Sequence, residues 1–207
     1  MTNPPASGLG DVAIELINQS TDCNNSQIVI FQKNVLGGID ELPVAWKVLD
    51  CPSNHRCRFT YPAALTVSAN DEAGNATAPQ PCSPGQLFTM RRLGAGSVLV
   101  PAGQASAPGK IEIAHEHDEA PIGVRFYRGG SLMASRQTIM PRTRATFLFK
   151  PALWIGVVPQ ATEGSVYRDM PAGITILSME FMRSVVIHMT GSCANPAQPV
   201  QFAMTHT

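Results

Sequence analysis

Ile122-Gly123-Val124-Arg125-Phe126-Tyr127-Arg128-Gly129-Gly130-Ser131-Leu132-Met133-Ala134-Ser135 holds two short runs around a diglycine. In the first run Val124 and Phe126 share one face while Arg125, Tyr127 and Gly129 share the other, the period of two that a half-buried strand requires. Arg128-Gly129-Gly130-Ser131 between the runs reads as a hairpin turn, because glycine adopts the positive φ that tight two-residue turns need. The fold class follows from how often this pattern recurs.

Seventeen prolines and seventeen glycines cut the chain into short runs rich in Val, Ile, Thr and Phe. Upstream the runs read as strands over Val12 to Asn18, Gln27 to Lys33, Val44 to Leu49, Cys57 to Thr60, Gln86 to Arg91, Ser97 to Val100 and Lys110 to Ala114. Downstream they cover Ile122 to Tyr127, Ser131 to Ser135, Arg144 to Lys150, Leu153 to Val158, Ile174 to Met179, Ser184 to Thr190 and Val200 to Thr205. No dozen residues keep apolar side chains at helical spacing without Pro or Gly interrupting. The expectation is an all-β chain folded as an antiparallel β-sandwich, with a jelly roll among the arrangements that fit. Residues 1–207 read as one domain, with a flexible N-terminus over 1–10 and a long surface loop over 70–85, where Pro, Ala, Asn and Ser dominate.

Composition sets what such a sandwich can do. Apolar residues make up 44% of the chain, enough to offset the conformational entropy of ordering it. Charged residues are only 14%, against about a quarter in average proteins, and fifteen cationic side chains balance fifteen anionic ones. No run of Lys or Arg exceeds Arg91-Arg92, which argues against nucleic acid as a partner. Near-zero net charge also removes long-range self-repulsion, so a homo-oligomer or larger self-assembly is favoured.

The start, Met1-Thr2-Asn3-Pro4-Pro5, has neither the basic nor the apolar character of a signal peptide, and no apolar run reaches membrane-spanning length. A cytoplasmic location with reduced thiols is the expectation for Cys23, Cys51, Cys57, Cys82 and Cys193. Cys51 and Cys57, which bracket a Pro-Ser-Asn-His-Arg loop, are the pair placed to bridge in an oxidising setting.

Ile28-Val29-Ile30-Phe31-Gln32-Lys33 followed by Ala45-Trp46 resembles the start of the RhiA-like proteins, a bacterial family named for a rhizosphere-expressed member. The second half resembles the same family through Ile122-Gly123-Val124 to Gly130, Ala145 to Lys150, Pro151, Leu153-Trp154-Ile155-Gly156 and Gly164-Ser165-Val166. The chain departs from the family's pattern after Ala45-Trp46, where Cys51 to Asn70 replaces an aromatic-rich strand. The resemblance implies the fold, a bacterial cytoplasmic setting and population-density-regulated expression. It brings no catalytic residues with it.

Three groups of residues carry candidate chemistry. His115-Glu116-His117-Asp118-Glu119 would set both imidazoles on one face of a strand, toward a divalent metal. Gly109, five residues, then His115-x-His117 also resembles the first half of a cupin metal motif, and Gly164 to Pro171-x-Gly173 faintly resembles its second half. The motif's glutamate is missing at Pro121-Ile122 and its last histidine is missing after Gly173. Metal ligands are therefore assigned to His115 and His117 alone, beside the plainer reading of a solvated acidic strand end.

Trp46 and Trp154 are candidate stacking platforms for a sugar, against core packing, the usual fate of indoles among apolar strand residues. Arg125 and Arg128 are candidate ligands for a carboxylate, phosphate or acidic sugar, against a solvent-facing row. No nucleophile elbow or nucleotide-binding loop is present. Three functions remain side by side: a non-enzymatic, self-associating structural or interaction protein; a carbohydrate- or amphiphile-binding module; and a cupin-like metal-dependent enzyme centred on His115 and His117. The first is preferred, with no catalytic residues and no resident cofactor.

Overall fold

A computed structural model describes residues 10–21, 26–38, 41–93, 96–116 and 120–206, and among them it contains strands, turns and no helix. The chain is all-β. No helix is long and apolar enough to cross a membrane among the described residues. Strands gather into two compact units, each containing two sheets.

The first unit takes Lys33–Leu42 and Ala64–Lys150. One of its sheets has five strands: β3 (Glu41–Leu42), β12 (Ser131–Ile139), β11 (Ile122–Arg128), β6 (Leu65–Asn70) and β7 (Gln80–Cys82), in that order. The other sheet has four: β13 (Arg144–Phe147), β10 (Ile111–His115), β8 (Gln86–Leu93) and β9 (Gly96–Gln104). The diglycine hairpin forms as read, with φ of 60° at Gly129 and 84° at Gly130 turning β11 into β12. Val124 and Phe126 are fully buried and Arg125 is exposed. Phe126 meets Phe147 of the facing sheet at 4.6 Å between ring centroids, which closes the core of this unit. Burial of such a ring contributes about 1.5–3 kcal/mol.

The second unit takes Leu9–Gln32, Pro43–Ala63 and Pro151–Thr207. Its first sheet runs β17 (Gln201–His206), β16 (Ser184–Thr190), β1 (Val12–Asn18) and β5 (Arg56–Tyr61). Its second runs β15 (Thr175–Ser178), β14 (Ala152–Pro159), β2 (Ser26–Gln32) and β4 (Val44–Leu49). Trp46 of β4 packs edge-on against Tyr61 of β5 at 5.5 Å, joining the two sheets. Tyr61 donates its hydroxyl to Gln32 Oε1 at 3.0 Å, and Gln32 Nε2 donates to the Ala152 carbonyl at 2.8 Å.

The β14/β2 sheet is buried on both faces, which explains why Ile28 to Phe31 and Ala152 to Ile155 read as unbroken apolar runs instead of alternating ones. Its second face carries Val29, Phe31, Ala45, Ala152 and Trp154, covered by Ala161, Tyr167, Met170 and Ile174 from the β14–β15 connection. Gly156 lies under the tip of the Ile174 side chain, which a Cβ at that position would displace.

Two expectations change. Asn70 to Gly85 is not one uninterrupted loop, since β7 lies inside it and pairs with β6. The chain groups into two compact units, and neither is a continuous segment among the described residues. The thiols are not all reduced: Cys51 and Cys57 are bridged, with Cα atoms 5.9 Å apart, and Cys193 is also disulfide-bonded. The bridge follows from local geometry. Asn18 Nδ2 donates to the Cys51 carbonyl at 2.7 Å, and the Asn54 N–H donates to the Asn18 carbonyl at 2.7 Å, so the β4–β5 turn is folded over β1. Of the flexible N-terminus expected over 1–10, residues 1–9 lie outside the described residues.

Candidate interaction surface

The residues singled out in the sequence are scattered through the fold. Trp46 is 2% exposed between sheets and Trp154 is 9% exposed beneath the β14–β15 connection, so neither presents an open indole face. Arg128 is 5% exposed although Arg125 is exposed. Period two accounts for the difference, since residue 128 falls on the same side of β11 as Val124 and Phe126. The pair therefore does not form one patch.

His115 ends the fully buried strand β10 and is itself 3% exposed. Its Nε2 lies 3.0 Å from the Ala120 carbonyl, which can only accept, so this nitrogen carries the proton. His117, Asp118 and Glu119 lie outside the described residues. His188 stands on β16 in the second unit. No group of three or more His, Cys, Asp or Glu is arranged to hold a metal among the described residues.

Two buried titratable groups in the first unit are shifted from their ordinary ranges. Glu112, 2% exposed on β10, accepts from Ser106 Oγ at 2.5 Å and from Arg144 NH1 at 2.9 Å. Burial pushes its carboxyl up, and the Ser106 hydroxyl and N–H together with Arg144 more than reverse this, holding it below the ordinary carboxylate range. Cys82, buried on β7, has its thiol pushed up to about 12 by burial, with the Arg128 charge opposing, so it is a poor nucleophile at neutral pH.

Sheet edges are where this fold leaves backbone unpaired. An edge strand offers a row of N–H and C=O groups to any second strand, and proteins guard such rows with charge, proline, bulges or brevity. Among the described residues, seven of the eight edges carry a guard. Strand β3 has two residues, β15 has four, and β13 has four with Arg144. Strand β7 has three residues including Pro81. Strand β9 contains Pro101 and a bulge opposite Leu87/Phe88, and Gln80 donates to its Leu99 carbonyl. Strand β5 carries Arg56 and Arg58, which face Glu15, and β4 carries Lys47 and a bulge opposite Ile30/Phe31.

Strand β17 carries none of these. Gln201-Phe202-Ala203-Met204-Thr205-His206 is six residues without Lys, Arg, Asp, Glu or Pro. It pairs with β16 in unbroken antiparallel register from Val185↔His206 to Thr190↔Gln201, and β16 is its only sheet neighbour among the described residues. Phe202 points into the core at 6% exposure, while Gln201, Ala203 and Thr205 are exposed. The sequence showed this run as a strand but not as an edge, because edge position depends on topology.

Two further apolar groups stand out in the same unit. Ile176 on β15 is 62% exposed, and Phe181, in the turn between β15 and β16, is 95% exposed. No protein-family model, curated protein or solved structure matches the chain.

Proposed function

We propose that this chain is a non-enzymatic β-sandwich interaction protein that self-associates, and that two copies meet by antiparallel pairing of their β17 edges. The unguarded edge carries this reading. Antiparallel pairing of identical strands is self-complementary about a twofold axis, so one surface serves both partners. Zero net charge and the absence of charged side chains along β17 leave no like-charge penalty against it.

Static light scattering from micromolar to millimolar protein, at low and high salt, tests the proposal. A mass that rises with concentration and changes little with salt is expected, since backbone pairing rather than charge drives the contact. A strictly monomeric mass over the whole range would falsify it.

Bonded cysteines support work in an oxidising compartment over the cytoplasmic location first expected. Alkylation of the natively purified protein without reductant is expected to leave Cys51 and Cys57 unmodified. Modification of both would return the chain to a reducing setting.

A further inference from the structure

The turn between β4 and β5 is closed covalently and then bonded to the end of β1. Cys51 and Cys57, six positions apart, bridge over Pro52-Ser53-Asn54-His55-Arg56, and inside this ring the His55 N–H donates to the Pro52 carbonyl at 3.1 Å. The ring meets β1 at Asn18, which is 1% exposed and has every polar atom engaged. Its N–H donates to the His55 carbonyl at 3.0 Å, and its carbonyl accepts from the Asn54 N–H at 2.7 Å. Its Nδ2 donates to the Cys51 carbonyl at 2.7 Å, while its Oδ1 accepts from the N–H and hydroxyl of Ser20 at 2.9 and 2.5 Å. Ser53 adds a bond from its hydroxyl to the Ser20 carbonyl.

This wiring couples two segments. If the turn lifted alone, the buried amide and peptide groups of Asn18 would lose their partners away from water, which costs more than letting Asn18 follow the turn outward. Turn and strand end therefore open together. Beyond Asn18 the strand end is tied to the end of β16, with the Gln19 N–H donating to the Met189 carbonyl at 2.7 Å. The β1/β5 ladder from Val12↔Tyr61 to Leu16↔Cys57 stops at the ring's last residue, so the strands stay paired without the bridge.

The two sulfurs differ in access. Cys57 is half-buried and Cys51 is 6% exposed, so an incoming thiolate meets Cys57 Sγ first. The S–S electron pair leaves on Cys51 Sγ, which takes up a proton. The second thiol of a dithiol reagent then displaces Cys57 Sγ, giving two cysteine thiols and one oxidised reagent. Charge on the departing Cys51 sulfur is poorly held in its buried position, so reduction favours the open turn.

We infer that the Cys51–Cys57 bond is a reducible latch. Oxidised, it holds the β4–β5 turn and the end of β1 closed as one piece; reduced by a dithiol, it lets both open together while the sheets stand. This switch does not depend on the self-association reading. Closing a ring this short removes loop freedom worth about fifty-fold in the opening equilibrium, and reduction restores that freedom.

Amide hydrogen exchange, resolved by residue, tests the latch on oxidised wild type, wild type in excess dithiothreitol, and Cys51→Ser/Cys57→Ser with and without dithiothreitol. In reduced wild type and in the variant, the Asn18, Gln19, Asn54 and His55 N–H groups are expected to exchange about fifty-fold faster, all by the same factor. Val124 and Phe126 on β11 should keep their rates, and reoxidation should restore protection in the wild type alone. Acceleration at Asn54 and His55 without Asn18 and Gln19 overturns the coupling and the latch with it. So does acceleration spread evenly over the second unit, or a variant that fails to fold, because the bond would then staple the whole unit. A variant that keeps wild-type protection until reductant is added overturns the latch in favour of the bond at Cys193. A Cys51–Cys57 bond that survives excess dithiothreitol overturns it as well.

Discussion

Phe181 and Glu112 show how single residues in this chain serve different ends. For Phe181 the left-handed backbone costs about 1–2 kcal/mol, part of which glycine's extra unfolded-state freedom would cancel. Phe181→Gly is therefore expected to raise the unfolding free energy by about 0.5–1 kcal/mol in urea titrations. A loss of stability would mean that the ring packs within its own chain. Glu112 works the opposite way, since its charge is what its partners hold. Its folded carboxyl lies below the ordinary range, so its stabilisation is full above the unfolded value and is lost as pH falls through the folded one. Glu112→Gln should cost about 1–2 kcal/mol at neutral pH, with the deficit shrinking in acid. An equal deficit at both pH values would contradict the assignment. Burial was partly legible at this scale: alternation placed Val124 and Phe126 in the core, and extending it by one step would have placed Arg128 there as well. The indoles of Trp46 and Trp154 could be read as platform or core until the strands flanking them were paired.

Among elements, the strands that sequence resolved are those with a long alternating or continuous apolar run; β1, β4 and β16 match their read bounds at both ends. The runs that escaped are β3, of two residues, β7, interrupted by Pro81, and β6, whose Ser68 and Ala69 are buried without being strongly apolar. These strands owe their state to partners, β6 to β11 above all, and so to tertiary context. Strand β17 was found as a strand, yet its exposed edge depends on its being last in the order β17-β16-β1-β5. Ala203→Lys adds charge at the exposed middle of that edge, where two copies would bring like charges together. It is expected to weaken dimerisation roughly tenfold, or ~1.4 kcal/mol, without lowering the melting temperature of the monomer. Unchanged dimerisation by analytical ultracentrifugation would move the interface to another strand.

For the molecule as a whole, among the described residues the chain passes between its two units at Gln32/Lys33, Leu42/Pro43, Ala63/Ala64 and Pro151 after Lys150. Each passage falls between adjacent strands or at a short turn, with no Pro-, Gly- or Ser-rich linker to betray it, which is why composition gave no boundary. Low charge density and zero net charge, by contrast, belong to the whole chain and were readable at once as a tendency to associate. The proposed β17 pairing joins that global tendency to one strand edge. Amide hydrogen exchange of Gln201–His206, followed from dilute to concentrated protein, tests it. Exchange along β17 is expected to slow as concentration rises, while the guarded edge β9 exchanges at an unchanged rate. Exchange along β17 that is independent of concentration, in protein whose mass is seen to grow, would contradict it.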